Sequence, residues 1–123
     1  MKFHTNIKGD PNNPAVIFVH GLLGGARNLS RLQDAIATDG FYTVAYDQRG
    51  HGHSDHGSPE TYTQVQLSDD LLSIMYQFKI TQAHLVGHSM GGRVSLTTAA
   101  RFPERVLSLS MLDVGPRINQ KAL

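Results

Sequence analysis

Gly87-His88-Ser89-Met90-Gly91 sets a hydroxyl between two glycines, where a short apolar run meets a helical pattern. The spacing is the G-x-S-x-G that lifts a serine onto a strained strand-to-helix turn, from which its oxygen can attack a carbonyl carbon. The glycines have a physical reason. Without a Cβ they let neighbouring backbone pass close to the turn, while the serine holds a φ that ordinary packing forbids. Ala83, Leu85 and Val86 supply the strand; Val94, Leu96, Ala99, Ala100 and Phe102 supply a helix that must stop before Pro103. The bland alternative is a structural turn, in which Gly and Ser are both common.

A second cluster could do different chemistry. His51-Gly52-His53-Ser54-Asp55-His56 carries imidazole and carboxylate at the H-x-H-x-D-H spacing. It resembles the ligand run of the metallo-β-lactamase-like zinc hydrolases, in which a bound metal supplies an activated water. Such sites draw further ligands from distant loops, and His84 and His88 are poor fits because the serine turn already places them. No metal is expected on balance. No Gly-rich phosphate loop and no acidic partner for a dinucleotide ribose occurs, so no cofactor is expected either.

These residues need a scaffold that brings loops together. Lys2 to Lys8 could form a short edge strand, ended by the turn Gly9 to Pro14. Ala15-Val16-Ile17-Phe18-Val19 is continuously apolar rather than alternating, the pattern of a strand covered on both faces. The loop His20-Gly21-Leu22-Leu23-Gly24-Gly25 leads to a helix with Asn28 as N-cap, Leu29, Leu32 and Ile36 on its inner face, and Gly40 past its end. Phe41 to Tyr46 reads as a strand. Thr63 and Gln66 form a capping box for a helix with Leu67, Leu71, Met75 and Phe78 on one face. Val106 to Leu112 is the last strand, ending at Asp113-Val114-Gly115-Pro116. Strands alternating with helices predict an α/β fold with a mostly parallel sheet flanked by helices. Ligands gather at the carboxyl ends of such strands, where the His20-Gly21 loop, the Asp47 loop, Ser89 and Asp113 all fall.

The chain has 123 residues, a formal net charge of +1 and no cysteine. One domain of that length can hide about two-thirds of its unfolded surface without a disulfide or metal staple. Near-neutral charge favours neither nucleic acid nor an anionic membrane as partner. The first residues lack the apolar run of a signal peptide, and no stretch is long enough to span a bilayer, so a cytoplasmic protein is the expectation.

Three motifs in this order resemble the α/β-hydrolases: His20-Gly21-Leu22-Leu23-Gly24, Asp47-Gln48-Arg49-Gly50-His51-Gly52-His53-Ser54, and Gly87-His88-Ser89-Met90-Gly91-Gly92. The resemblance runs from about Val16 to Pro116 and is nearest to compact, lidded esterases and thioesterases acting on small acyl substrates. It implies that Ser89 is the nucleophile and that the backbone N–H groups of Leu22 and Met90 form the oxyanion hole. It implies that the His20 ring braces the oxyanion loop, that Arg49 and Asp47 brace the rim, and that Gly21, Gly87, His88 and Gly91 shape the turn. Asp113 is the candidate acid of a triad; it could equally just open the turn to Gly115-Pro116. A serine at this point argues against dehalogenases and most epoxide hydrolases, which share the fold but use Asp there. Esters, thioesters, lactones and diketones remain open as substrates.

The family's base is a histidine on a loop after the last strand, and nothing after Gly115 contains one. His88, His84, His51, His53 and His56 read as packing or loop residues. The expectation is therefore a partial domain over residues 1–123, cut after the sixth strand in the family's count, with lid, last strands and histidine loop absent. Such a chain would turn over weakly or not at all until a carboxyl-terminal half complements it. Val106 to Leu112 would then be an exposed apolar edge, prone to self-association. A non-catalytic domain that binds a ligand or partner stays in play.

Overall fold

A computed structural model describes residues 1–22 and 24–112. Five strands form one sheet in the order β1-β3-β2-β4-β5: β1 is Thr5–Lys8, β2 Ala15–Val19, β3 Tyr42–Tyr46, β4 Ala83–His88 and β5 Val106–Leu112. β1 runs antiparallel to β3; every other pairing is parallel. Three α-helices join them: α1 (Ser30–Thr38), α2 (Gln64–Gln77) and α3 (Met90–Arg101). The expected α/β class, with a mostly parallel sheet between helices, is the class observed.

The unbroken apolar run of β2 is explained by burial on two sides. Ile17 and Val19 join Val44, Tyr46 and Leu85 in a core closed by Leu67, Leu71, Ile74 and Met75 of α2 and Val94 of α3. Val16 and Phe18 face the other way with Ala45 and Val86, under Ala26, Leu29 and Ile36. Period-two alternation within each strand thus feeds two cores, and every residue of β2 and β3 is buried.

Local chemistry departs from the expected pattern in four places. The first strand begins at Thr5 rather than Lys2, because Lys2 is tied instead to the Asp55 carboxylate and backbone. Asn28 does not cap α1: it sits in a 3₁₀ turn, Ala26–Leu29, and its carboxamide oxygen accepts from the Gly25 N–H. Leu32 is exposed, and Gln33 takes the inner place, donating to the Asn6 carbonyl (2.8 Å) and the Thr43 hydroxyl (3.2 Å). At α2 half the capping box forms: Thr63 Oγ1 accepts from Gln66 N–H (3.1 Å), while the Gln66 side chain reaches Asp70 (3.2 Å). α3 ends at Arg101, before Pro103, as the proline requires.

Registers set the functional rim. Val19 lies beside Tyr46 and Gly87, and Gly87 beside Met111, so four parallel strands end level with one another. His20, Asp47 and Ser89 each follow directly on such an end. β5 is the last strand of the described sheet, and Leu107, Met111 and Leu112 are exposed on it.

Candidate active site

Ser89 is exposed and has φ 55°, ψ −116°, left-handed backbone that a non-glycine residue adopts only when its surroundings impose it. The surroundings do so from both sides. Its N–H donates to the Leu112 carbonyl of β5 (2.9 Å), and its carbonyl accepts from Gly92 N–H (2.9 Å) as the first bond of α3. Its side chain makes no capping bond to that helix. A Cβ at Gly87 would run into the backbone of Gly91 and Gly92, and one at Gly91 into the carbonyls of Val19 and His20. Both motif glycines are therefore demanded by backbone contact, one against α3 and the other against the end of β2.

The Gly21 loop lies directly against the serine. A Cβ on Gly21 would stand 3.2 Å from Ser89 Cβ and 3.0 Å from His88 Nδ1. Gly21, Leu22, Gly24, Asn28, Leu29, His88 and Ser89 line one cleft of about 340 Å³. Met90 begins α3, so its N–H has no acceptor within the helix, and its half-buried side chain packs on the core. Leu22 and Leu29 give the cleft its apolar wall, while Met90 turns inward. Leu23 and Asp113 lie outside the described residues. A larger groove of about 550 Å³, lined by His4, Asn6, Arg27, Asp47 and His53 among others, does not include Ser89.

His20 is buried, and burial is the main cause that pulls its pKa below the ordinary histidine value. Its Nε2 accepts from Gln48 N–H (2.9 Å) and its Nδ1 lies 2.6 Å from the Gly21 carbonyl. An accepting Nε2 and a carbonyl at Nδ1 leave one arrangement, the neutral Nδ1–H tautomer. The ring therefore ties loop to loop rather than serving as a base for Ser89.

The Asp47 loop is built from the same materials. Asp47 accepts from Ala26 N–H (2.6 Å) and His53 N–H (3.0 Å), stitching two loops with one carboxylate. Arg49 turns away from the cleft: Nε and Nη2 meet the two Asp70 oxygens at 2.6 and 2.8 Å, with side-chain exposures of 7 % and 6 %. The hydrogen bond to Asp70 holds the guanidinium's pKa above its usual value. Asp70 and Gln48 are the residues the sequence reading passed over. A carboxylate between Leu67 and Leu71 on the inward stripe of α2 was the available signal.

The zinc-like run is dispersed. His51 Nδ1 lies 3.0 Å from the Arg49 carbonyl with its ring beside His20, the His53 ring packs on His4, and Asp55 accepts from Lys2 N–H. Among the described residues no three His, Asp or Glu side chains gather into a set that could hold an ion. His84 meets the Ser108 hydroxyl (2.7 Å) and packs edge-on against Phe41, a structural histidine.

Parallel sheet, serine turn and apposed glycine loop define a protein of the α/β-hydrolase class. Residues 14–121 match the alpha/beta hydrolase fold family, and the chain belongs to it. It is 37% identical over 119 residues to a 2-(acetamidomethylene)succinate hydrolase of Mesorhizobium japonicum, covering 96% of this chain and 42% of that protein. Among solved structures it is similar to a marine microorganism esterase (TM-score 0.85, 27% identity, 94% of this chain and 42% of that one). Epoxide hydrolase A of Mycobacterium thermoresistibile has the same TM-score, 0.85, at 26% identity, with 89% of this chain and 34% of that one covered. The chain thus spans about two-fifths of the length of the relatives it matches. No helix among the described residues is long and apolar enough to cross a membrane.

Proposed function

We propose that this chain carries the nucleophile half of a serine hydrolase of esterase or thioesterase type, acting on a small acyl substrate. Ser89 Oγ attacks the carbonyl carbon, and the oxygen that gains charge is met by the N–H groups of Leu22 and Met90. Donors fixed in advance at that point lower the barrier; losing one in another serine hydrolase raised it by about 3 kcal/mol. The positive end of α3 acts on the same oxygen. Asp113, next after Leu112, is the proposed acid.

The observation that supports the reading is the contact of the Gly21 loop with Ser89, with Ser89 and Leu22 lining one cleft and Met90 next along the chain. The serine, where an epoxide hydrolase would use an aspartate, favours acyl transfer over epoxide opening. The proton of Ser89 needs an acceptor, and the rings of His20, His51 and His84 are engaged elsewhere. A carboxyl-terminal half docked beyond β5 would supply the base. The chain alone would then bind acyl ligands with little turnover, which is where a non-catalytic binding role meets this one.

A fluorophosphonate probe tests the reading. Joined to the carboxyl-terminal remainder of an esterase relative, the protein should be labelled at Ser89 by peptide mass spectrometry, and Ser89→Ala should not be. The 123-residue chain by itself should label slowly or not at all. Labelling elsewhere, or none in the joined protein with a native fold, would remove Ser89 from the chemistry.

A further inference from the structure

Gln48 is almost wholly buried, and its carboxamide is used on one side only. Nε2 donates to the His20 carbonyl at 2.7 Å, while Oε1 is buried with no partner among the described residues. An orphaned buried acceptor is a cost that a methionine of similar shape would not carry. The same residue's backbone N–H donates to His20 Nε2 at 2.9 Å. One residue therefore grips the histidine at both its ring and its carbonyl.

The consequence falls on the next peptide. The Gly21 carbonyl is held by the His20 ring (2.6 Å) and by Gly24 N–H (3.0 Å). No cis peptide occurs among the described residues, so the Leu22 N–H points opposite to that carbonyl. Ring and carbonyl lie on the buried side, and the N–H is directed away from them. Turning this peptide over would break both bonds to the Gly21 oxygen. Gln48 is itself fixed by its neighbours, since Asp47 binds Ala26 and His53 and Arg49 is locked to Asp70.

Resting on the hydrolase reading above, we infer that Gln48 is a positioning residue: through its double hold on His20 it fixes the Gly21–Leu22 peptide with the N–H aimed for an oxyanion. It touches no reacting atom. Its contribution is to have the donor in place before charge develops, which is where such donors are effective.

The test uses Gln48→Met, which keeps the volume and removes the donor. The control is Gln33→Met, another buried glutamine that donates to a backbone carbonyl and is not among the residues lining the cleft. Both are assayed in the protein joined to a carboxyl-terminal half. Gln48→Met should lower kcat by about tenfold or more with KM within about twofold, the signature of an interaction made in the transition state. Gln33→Met should lower stability and leave kcat unchanged. An unchanged kcat in Gln48→Met, or equal losses in both variants, would overturn the inference. Should Gln48→Met fail to fold, the wild-type His20 ring decides by ¹⁵N NMR: a neutral Nδ1–H tautomer at pH 7 supports the hold, and an Nε2–H or charged ring refutes it. That readout needs no turnover, so absence of Ser89 labelling would sink the hydrolase reading separately.

Discussion

Removing the Asp70 carboxylate should be among the most damaging single changes outside the apolar core. Asp70 sits on α2 and takes two bonds from Arg49 at 2.6 and 2.8 Å and a third from Gln66 at 3.2 Å. Both partners of the ion pair are nearly closed to solvent. Asp70→Asn keeps the shape but turns an amide N–H₂ toward a guanidinium and leaves its charge uncompensated in the interior. Breaking a buried pair from one side costs about 3–5 kcal/mol, a thousandfold in the folding equilibrium at about 4 kcal/mol. Small domains have only about 5–15 kcal/mol in total, so a loss of about 4 kcal/mol removes roughly a quarter or more of it. Replacing both partners together, Arg49→Met with Asp70→Leu, should recover most of the loss, because no buried charge is stranded. Urea unfolding followed by far-ultraviolet circular dichroism measures all three variants. If Asp70→Asn costs less than about 1 kcal/mol, the pair is screened by water and the reasoning from its burial is wrong.

Stability should fall in mild acid because of His20. Burial lowers its folded pKa below 6.5, so the unfolded chain takes up the proton first. The stabilisation is complete above pH 6.5 and is lost as pH drops from there toward the folded value; His20→Asn should flatten unfolding curves across that window. Gly91→Ala should lower the thermal midpoint by the equivalent of about 2–3 kcal/mol, since the new methyl meets the Val19 and His20 carbonyls rather than a yielding side chain. A native-like midpoint would show that α3 can shift. The β5 edge should drive self-association: Leu107 and Met111 are 48 % and 40 % exposed. Sedimentation should show concentration-dependent oligomers, reduced by Leu107→Lys with Met111→Lys; a clean monomer at every concentration would refute it.

Much of this protein could be read from periodicity and spacing. The apolar run of β2 announced a strand covered on both faces, and Gly87-x-Ser89-x-Gly91 announced a strand giving way to a helix, because these are local rules of burial and backbone conformation. The chain could not announce which side chains its loops would use to hold one another. Gln48 and Asp70 look ordinary in sequence, yet one grips His20 and the other neutralises Arg49. Those bonds span 28 and 21 residues and exist only once β2, β3 and α2 have packed. The histidine run His51 to His56 shows the same limit from the other side. Its spacing would suit a metal, but contacts with Arg49, His4 and Lys2 direct the groups apart. Sequence determined the strands, the turn and the serine at its tip, since each follows from residues a few places apart. Tertiary structure alone decided that the Gly21 loop rests on that serine, because strand register brings distant loops to a common edge.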